Sequence, residues 1–149
     1  MFAIIILFVQ TIATSSDWVA FDRDTVCEAV ARSLLMPRKG EPQPHVTLSF
    51  DRVNGRKGEL SVALRRPVRP GSTVVLTIGD QPFLLSARGD RGWSRGPAQE
   101  QAIIAAMRSA GGMRVEARDA SGRRTVDRYT LSGAPTAIDA AAAACLKKR

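Results

Sequence analysis

Two clean alternations separated by turn chemistry restrict this chain more than anything else in it. In His45-Val46-Thr47-Leu48-Ser49-Phe50 the residues Val46, Leu48 and Phe50 take every second place, and Leu60, Val62 and Leu64 do so in Glu59 to Arg65. A period of two puts each set on one face of a sheet, so both segments read as half-buried strands. Asn54-Gly55-Arg56-Lys57-Gly58 supplies the turn that makes them a hairpin. The apolar face of one hairpin needs further strands or helices to cover it.

The neighbouring sequence provides them. Asp17 to Phe21 reads as a short strand. Val26 to Leu35 fits either a helix, through its alanines, or a strand, through the alternation of Val26, Glu28, Val30 and Arg32; strand neighbours favour the strand. Pro37 to Pro44 holds three prolines and a glycine and is expected as an exposed loop. Thr73 to Ile78 and Gln81 to Ala87 flank the turn Gly79-Asp80. Met113 to Arg118 and Thr125 to Leu131 flank a polar tip. Pro97 to Ala110 is predicted as a helix with Pro97 at its first position, Glu100 near its positive end, Gly111-Gly112 after it, and Ile103, Ile104, Met107 and Ala110 facing inward. A last helix is predicted to open at Pro135, carry an alanine tract to Cys145 and close on Lys147-Lys148-Arg149. The sum is a mainly β fold with two helices: a small antiparallel β-sandwich or barrel, with one internal and one C-terminal helix packed on it. The length of 149 residues leaves room for one domain.

The amino terminus reads as a secretory signal. Phe2 to Val9 is an uninterrupted apolar run, too short to cross a bilayer, and Ala13 and Ser15 are small residues placed for cleavage after Ser15. The competing reading is a buried first strand rich in isoleucine. The signal reading divides the chain into a leader, residues 1–16, and a single domain, residues 17–149, in a periplasmic or secreted protein. In that compartment the two cysteines, Cys27 and Cys145, are most simply one disulfide closing nearly the whole domain; two separate buried thiols are the alternative. With one histidine, His45, and no close cysteine pair, the sequence offers no metal site, and no cofactor is expected.

Lys and Arg number 22 against 14 Asp and Glu, a formal charge of +8. Such a surface favours anionic partners. The exported location argues against nucleic acid and leaves an anionic envelope component or a protein partner; the sequence does not fix the oligomeric state. Arg88, Arg91, Trp93 and Arg95, in a stretch rich in glycine and arginine, are the candidate partner-binding residues, since arginines around an aromatic hold a phosphate or a sugar ring by charge and stacking. The plainer alternative is a loop tryptophan packed on the next helix. Arg114, Arg118, Arg123, Arg124 and Arg128 are a second basic group. His45 lacks a nucleophile at motif spacing, so no catalytic residue is assigned. The other functional class is an envelope hydrolase or hydrolase inhibitor with Trp93 in its cleft, which requires two of the carboxylates Asp80, Asp90 and Glu100 to meet.

An early tryptophan, a cysteine soon after it, Arg69-Pro70-Gly71 ahead of Val74-Val75-Leu76-Thr77-Ile78-Gly79-Asp80, a helix near the midpoint and Tyr129-Thr130-Leu131-Ser132-Gly133-Ala134-Pro135-Thr136-Ala137-Ile138-Asp139 form one pattern. In it residues 17 to 145 resemble the invasion-associated locus B family, small periplasmic or envelope proteins of alphaproteobacteria. The resemblance implies a non-catalytic envelope role, associated with host-cell invasion in pathogens. Ala134 stands where that family tends to have an aromatic residue.

Overall fold

The computed structural model describes residues 9–146. Most of the apolar run read as a leader, residues 2–8, and the basic residues 147–149 expected to close the last helix lie outside the described residues.

The chain is mainly β with two helices. Among the described residues ten antiparallel strands form one sheet: β1 (Gln10–Ser15), β2 (Trp18–Asp22), β3 (Val26–Arg32), β4 (His45–Asp51), β5 (Lys57–Ala63), β6 (Val74–Ile78), β7 (Gln81–Arg88), β8 (Arg91–Trp93), β9 (Gly112–Arg118) and β10 (Arg124–Thr130). Their order is β1-β2-β3-β4-β5-β8-β7-β6-β9-β10, a meander in which the three strands β6 to β8 stand in reversed order between β5 and β9. The sheet curls without closing. Two hydrogen bonds draw β10 back towards the far side: the Leu34 amide donates to the Arg128 carbonyl at 2.8 Å, and Trp18 Nε1 donates to the Thr130 carbonyl at 2.9 Å. Between β10 and the far side there is no ladder, so the barrel half of the expectation gives way to an open curled sheet.

The predicted hairpins are β4–β5, β6–β7 and β9–β10. Gly79 takes φ 61° in the turn between β6 and β7, a left-handed conformation that glycine adopts without strain. Two segments differ from the reading. Residues 88–96, expected as a loop, are the end of β7, a tight turn and strand β8, which joins β5 to β7. Gly92 explains the miss: it is buried between the two ladders, where a Cβ would already touch Leu85 and Val74. Residues 10–15, assigned to the leader, are edge strand β1, paired with β2 from Gln10↔Asp22 to Ser15↔Trp18. Their side chains are mostly exposed, so no apolar alternation marked them.

Helix α1 (Pro97–Ser109) and helix α2 (Ala134–Leu146) cover the inner face. The buried stripe of α2 is Ala134, Ala137, Ile138 and Ala141, and the inward residues of β2 and β3 beneath it include Ala20, Ala29 and Ala31. Small residues on both surfaces bring helix and sheet close. That approach places Cys145 beside Cys27, with Cα atoms 5.7 Å apart, and the two form the disulfide. At the carboxyl end of α2, Arg52 from the β4–β5 turn donates to the Ala144 and Asp24 carbonyls and pairs with Asp22 at 3.3 Å. A cation there also offsets the negative helix end.

Helix α1 buries Glu100, Ile103 and Met107 against β5, β6 and β7, while Ile104 and Ala110 of the predicted stripe are only partly buried. Gly58 at φ 94° leaves space for Ile104, whose Cδ1 lies 2.6 Å from where a Cβ would stand.

Candidate functional site

A sheet with one face under helices presents its other face to solvent, and strand register decides which residues line up there. Two rows run across the strands on this outer face. The first is Val19, Val30, Thr47, Ser61, Trp93 and Ser86, joined pairwise through β2, β3, β4, β5, β8 and β7. The second, beside it, is Arg32, His45, Ala63, Arg91 and Arg88. Thus three of the four candidate residues, Arg88, Arg91 and Trp93, share one face, and the register adds Arg32, His45 and the hydroxyls of Thr47, Ser61 and Ser86. Arg95 lies beyond the ladder, where its amide donates to Gln99 Oε1 at 2.7 Å.

Trp93 is half-buried, while Arg32, Arg88 and Arg91 are exposed. None of these three arginines has an ion-pair partner among the described residues, whereas Arg23, Arg56, Arg65, Arg66 and Arg108 each do. From β3 to β8 is three strand steps, ~14 Å. At the β2–β3 end the face sinks into a concavity of about 840 Å³ floored by Val19, Phe21 and Val30, with Arg32, His45 and Leu34 at its border. Arg23 stacks over Phe21, 5.1 Å from the ring centroid, and donates to Glu28 at 2.8 Å. The imidazole of His45 meets the Gln43 carbonyl through Nδ1 at 3.1 Å.

The second basic group is a different object. Arg114 pairs with Arg128 and Arg118 with Arg124 across β9 and β10, so these four share a face, while Arg123 precedes β10. Glu116 sits among them, accepting from Arg114 Nε at 2.6 Å and from Arg124 Nη2 at 2.9 Å, and these bonds hold its carboxyl below its usual range. Glu116 thus offsets one of the four positive charges on this face, where the first group has, among the described residues, no acid paired with Arg32, Arg88 or Arg91.

The carboxylates a hydrolase needs do not meet. Asp80 and Asp90 stand in exposed turns at opposite ends of β7, ~27 Å apart along an eight-residue strand. Paired glycosidic carboxylates stand about 5 to 9.5 Å apart. Glu100 faces inward and is 1% exposed. It accepts from Arg56 Nε at 3.1 Å, Arg56 Nη2 at 2.6 Å and the Ser94 hydroxyl at 2.5 Å. Burial pushes its carboxyl up, but the Arg56 and Ser94 bonds outweigh this and leave it lowered. Asp119 is committed to its own turn: the Ser121 hydroxyl first, then the Arg123 amide and Arg66, hold it at about 2. Asp127 accepts from Arg65 at 2.6 Å, and burial raises its carboxyl. Among the described residues no group of three or more His, Cys, Asp or Glu is placed to hold a metal, and no helix is long and apolar enough to cross a membrane.

The sequence carried one signal for the missed part of this face. Trp18-Val19-Ala20-Phe21 is apolar at every position, and a strand with only one covered face needs apolar residues only at alternate ones. The outward pair, Val19 and Phe21, is the floor of the concavity. No protein family, curated protein or solved structure matches this chain.

Proposed function

We propose that this protein is an exported, non-catalytic binding domain of the invasion-associated locus B type, which holds an anionic envelope component or protein partner on the outer face of its sheet. The observation that carries the reading is the pair of adjacent rows, one cationic and one of hydroxyls around Trp93, ending in a concavity where Val19, Phe21 and Val30 lie among polar and charged side chains. Guanidinium forks match phosphate and carboxylate oxygens, hydroxyls donate and accept, and an indole offers a flat apolar contact. The backbone under both rows is fixed by strand ladders, so less order has to be imposed on binding. The disulfide supports an oxidising compartment, and the resemblance over residues 129 to 139 supports the family.

The test is a photo-crosslinking amino acid at Thr47, in the hydroxyl row and next to His45 of the cationic one, in the protein expressed in its own host. An adduct is expected that weakens strongly in an Arg32→Glu, Arg91→Glu double variant and does not form from the same probe at Asp80. An adduct indifferent to the charge reversal, or equal at both positions, contradicts the reading.

A further inference from the structure

Leu34, Leu35 and Met36 follow β3 after Ser33 and are 56%, 59% and 84% exposed. Three consecutive exposed large apolar side chains oppose the usual placement of such residues and need a reason. The backbone at the base of this tip is held by hydrogen bonds. The Ser33 amide donates to the Pro44 carbonyl at 2.9 Å, Gln43 Nε2 donates to the Ser33 hydroxyl at 2.7 Å and to its carbonyl at 3.1 Å, and the Leu34 amide is bound to Arg128. The tip is thus presented on a fixed frame, with Pro37, Pro42 and Pro44 restricting the chain beyond it.

The charges along the chain beside the tip are mostly basic, although Asp17 also lines the concavity that Leu34 borders. Arg32 precedes the tip, Arg38 and Lys39 follow it, and Arg128 lies alongside. The acidic residue within residues 32–44 is Glu41, which pairs with Arg66 at 2.8 Å. A small apolar tip in a cationic collar matches the boundary of an anionic bilayer, where apolar side chains enter between headgroups and cations meet phosphates. A protein partner fits less well, since a standard interface buries about 800 Å² on each side, far more than three side chains offer. We infer that Leu34-Leu35-Met36 and the collar Arg32, Arg38, Lys39 and Arg128 dock the protein on an anionic lipid surface. This rests on the envelope reading for its membrane, and it sets the outer-face concavity, which Leu34 also borders, next to the lipid.

The experiment is co-sedimentation of the full chain with phosphatidylcholine vesicles, with and without phosphatidylglycerol, at rising salt. Partitioning to anionic vesicles is expected to exceed that to neutral ones by roughly tenfold or more and to fall with salt. Leu35→Asp with Met36→Asp, and separately Arg38→Glu with Lys39→Glu, are expected to reduce it by roughly tenfold each, with unchanged thermal midpoints. Binding by the aspartate variant equal to that of the unaltered chain overturns the inference, because residues 1–8 are common to both and the two added carboxylates can only weaken attraction to an anionic surface. So does equal binding to neutral vesicles, or a dimer in sedimentation velocity that the aspartate variant dissolves, which assigns the tip to a second copy. An envelope protein that fails to bind vesicles overturns the tip alone; a cytoplasmic one that binds through the tip overturns the compartment alone.

Discussion

Helix α2 lies on β2 and β3 through alanines and a covalent bond, whereas α1 lies on β5 to β7 through Ile103, Met107 and a buried carboxylate held by Arg56 and Ser94. Both cover the inner face of one sheet. The difference separates two kinds of fastening. A disulfide acts largely on the unfolded chain, by removing its freedom, and is indifferent to acid; a buried ion pair acts in the folded state and depends on pH. The anchor of α2 also requires an oxidising compartment, while that of α1 requires only that Glu100 stay charged.

The largest expected effect comes from breaking the covalent anchor. A loop with a sequence separation of 118 is worth about 4 to 5 kcal/mol in the chain-entropy description. Cys145→Ser should lower the thermal midpoint by roughly 10 °C or more, as calorimetry with and without reductant on the parent would show. A fall of only a degree or two would mean that alanine packing alone secures α2.

Breaking the electrostatic anchor should matter less. Glu100→Ala strands the Ser94 hydroxyl and leaves Arg56, which is partly exposed and re-solvates, so a loss of about 2 to 3 kcal/mol is expected in urea unfolding. Its pH dependence has a definite direction. The carboxyls of Glu100 and Asp119 lie lower in the fold than their ordinary 4.5 and 3.8, with Asp119 at about 2. Their stabilisation is present above those ordinary values and is lost as pH falls through the folded ones. Asp127, raised by burial, works in the opposite sense and regains stability as pH falls through its own folded value. Urea midpoints should therefore fall between about pH 4.5 and 2, and Glu100→Gln should flatten the upper part of that decline. A decline unchanged in that variant would place the acid sensitivity elsewhere.

Gly133 sharpens the comparison at the start of α2. It has φ 86°, and a Cβ there would stand 2.0 Å from the Ser15 carbonyl oxygen. Gly133→Ala should cost about 1 to 2 kcal/mol in backbone strain and in addition displace β1, raising hydrogen exchange across residues 10–15. In a chain processed after Ser15, the strain remains and the clash disappears. Exchange in β1 unaffected by the substitution would show that the strand is not seated against α2. The smallest effect is expected on the outer face, where Arg91→Ala and Arg88→Ala should change stability by less than about 0.5 kcal/mol.

The hairpins were legible because β4 and β5 alternate cleanly, and because β-rich segments on either side of Gly79-Asp80 and of the polar tip with Gly122 mark the other two, signals that lie within each stretch of chain. Helix α2 was legible from its alanine tract, and its anchor from a count of two cysteines. The anchor of α1 was not, since Glu100 and Arg56 are 44 residues apart and nothing local pairs them. Strand β1 was hidden by its exposed, non-alternating side chains and by the apolar run ahead of it. For the site, Arg88, Arg91 and Trp93 were legible as types but not as an array. The rows exist because β8 inserts between β5 and β7, with Ser61↔Trp93 and Ser86↔Trp93 fixing its register. Once those ladders form, Arg32 and His45 fall into line with Arg91, although they come from strands far earlier in the chain.

The central claim is an exported domain closed by its disulfide and presenting a cationic outer face. Its most direct test is fractionation of the native host with thiol labelling in denaturant, before and after reduction. Protein in the periplasmic or secreted fraction, unlabelled until reductant exposes both Cys27 and Cys145, is the result this account requires. Cytoplasmic protein with both thiols labelled without reduction would contradict it.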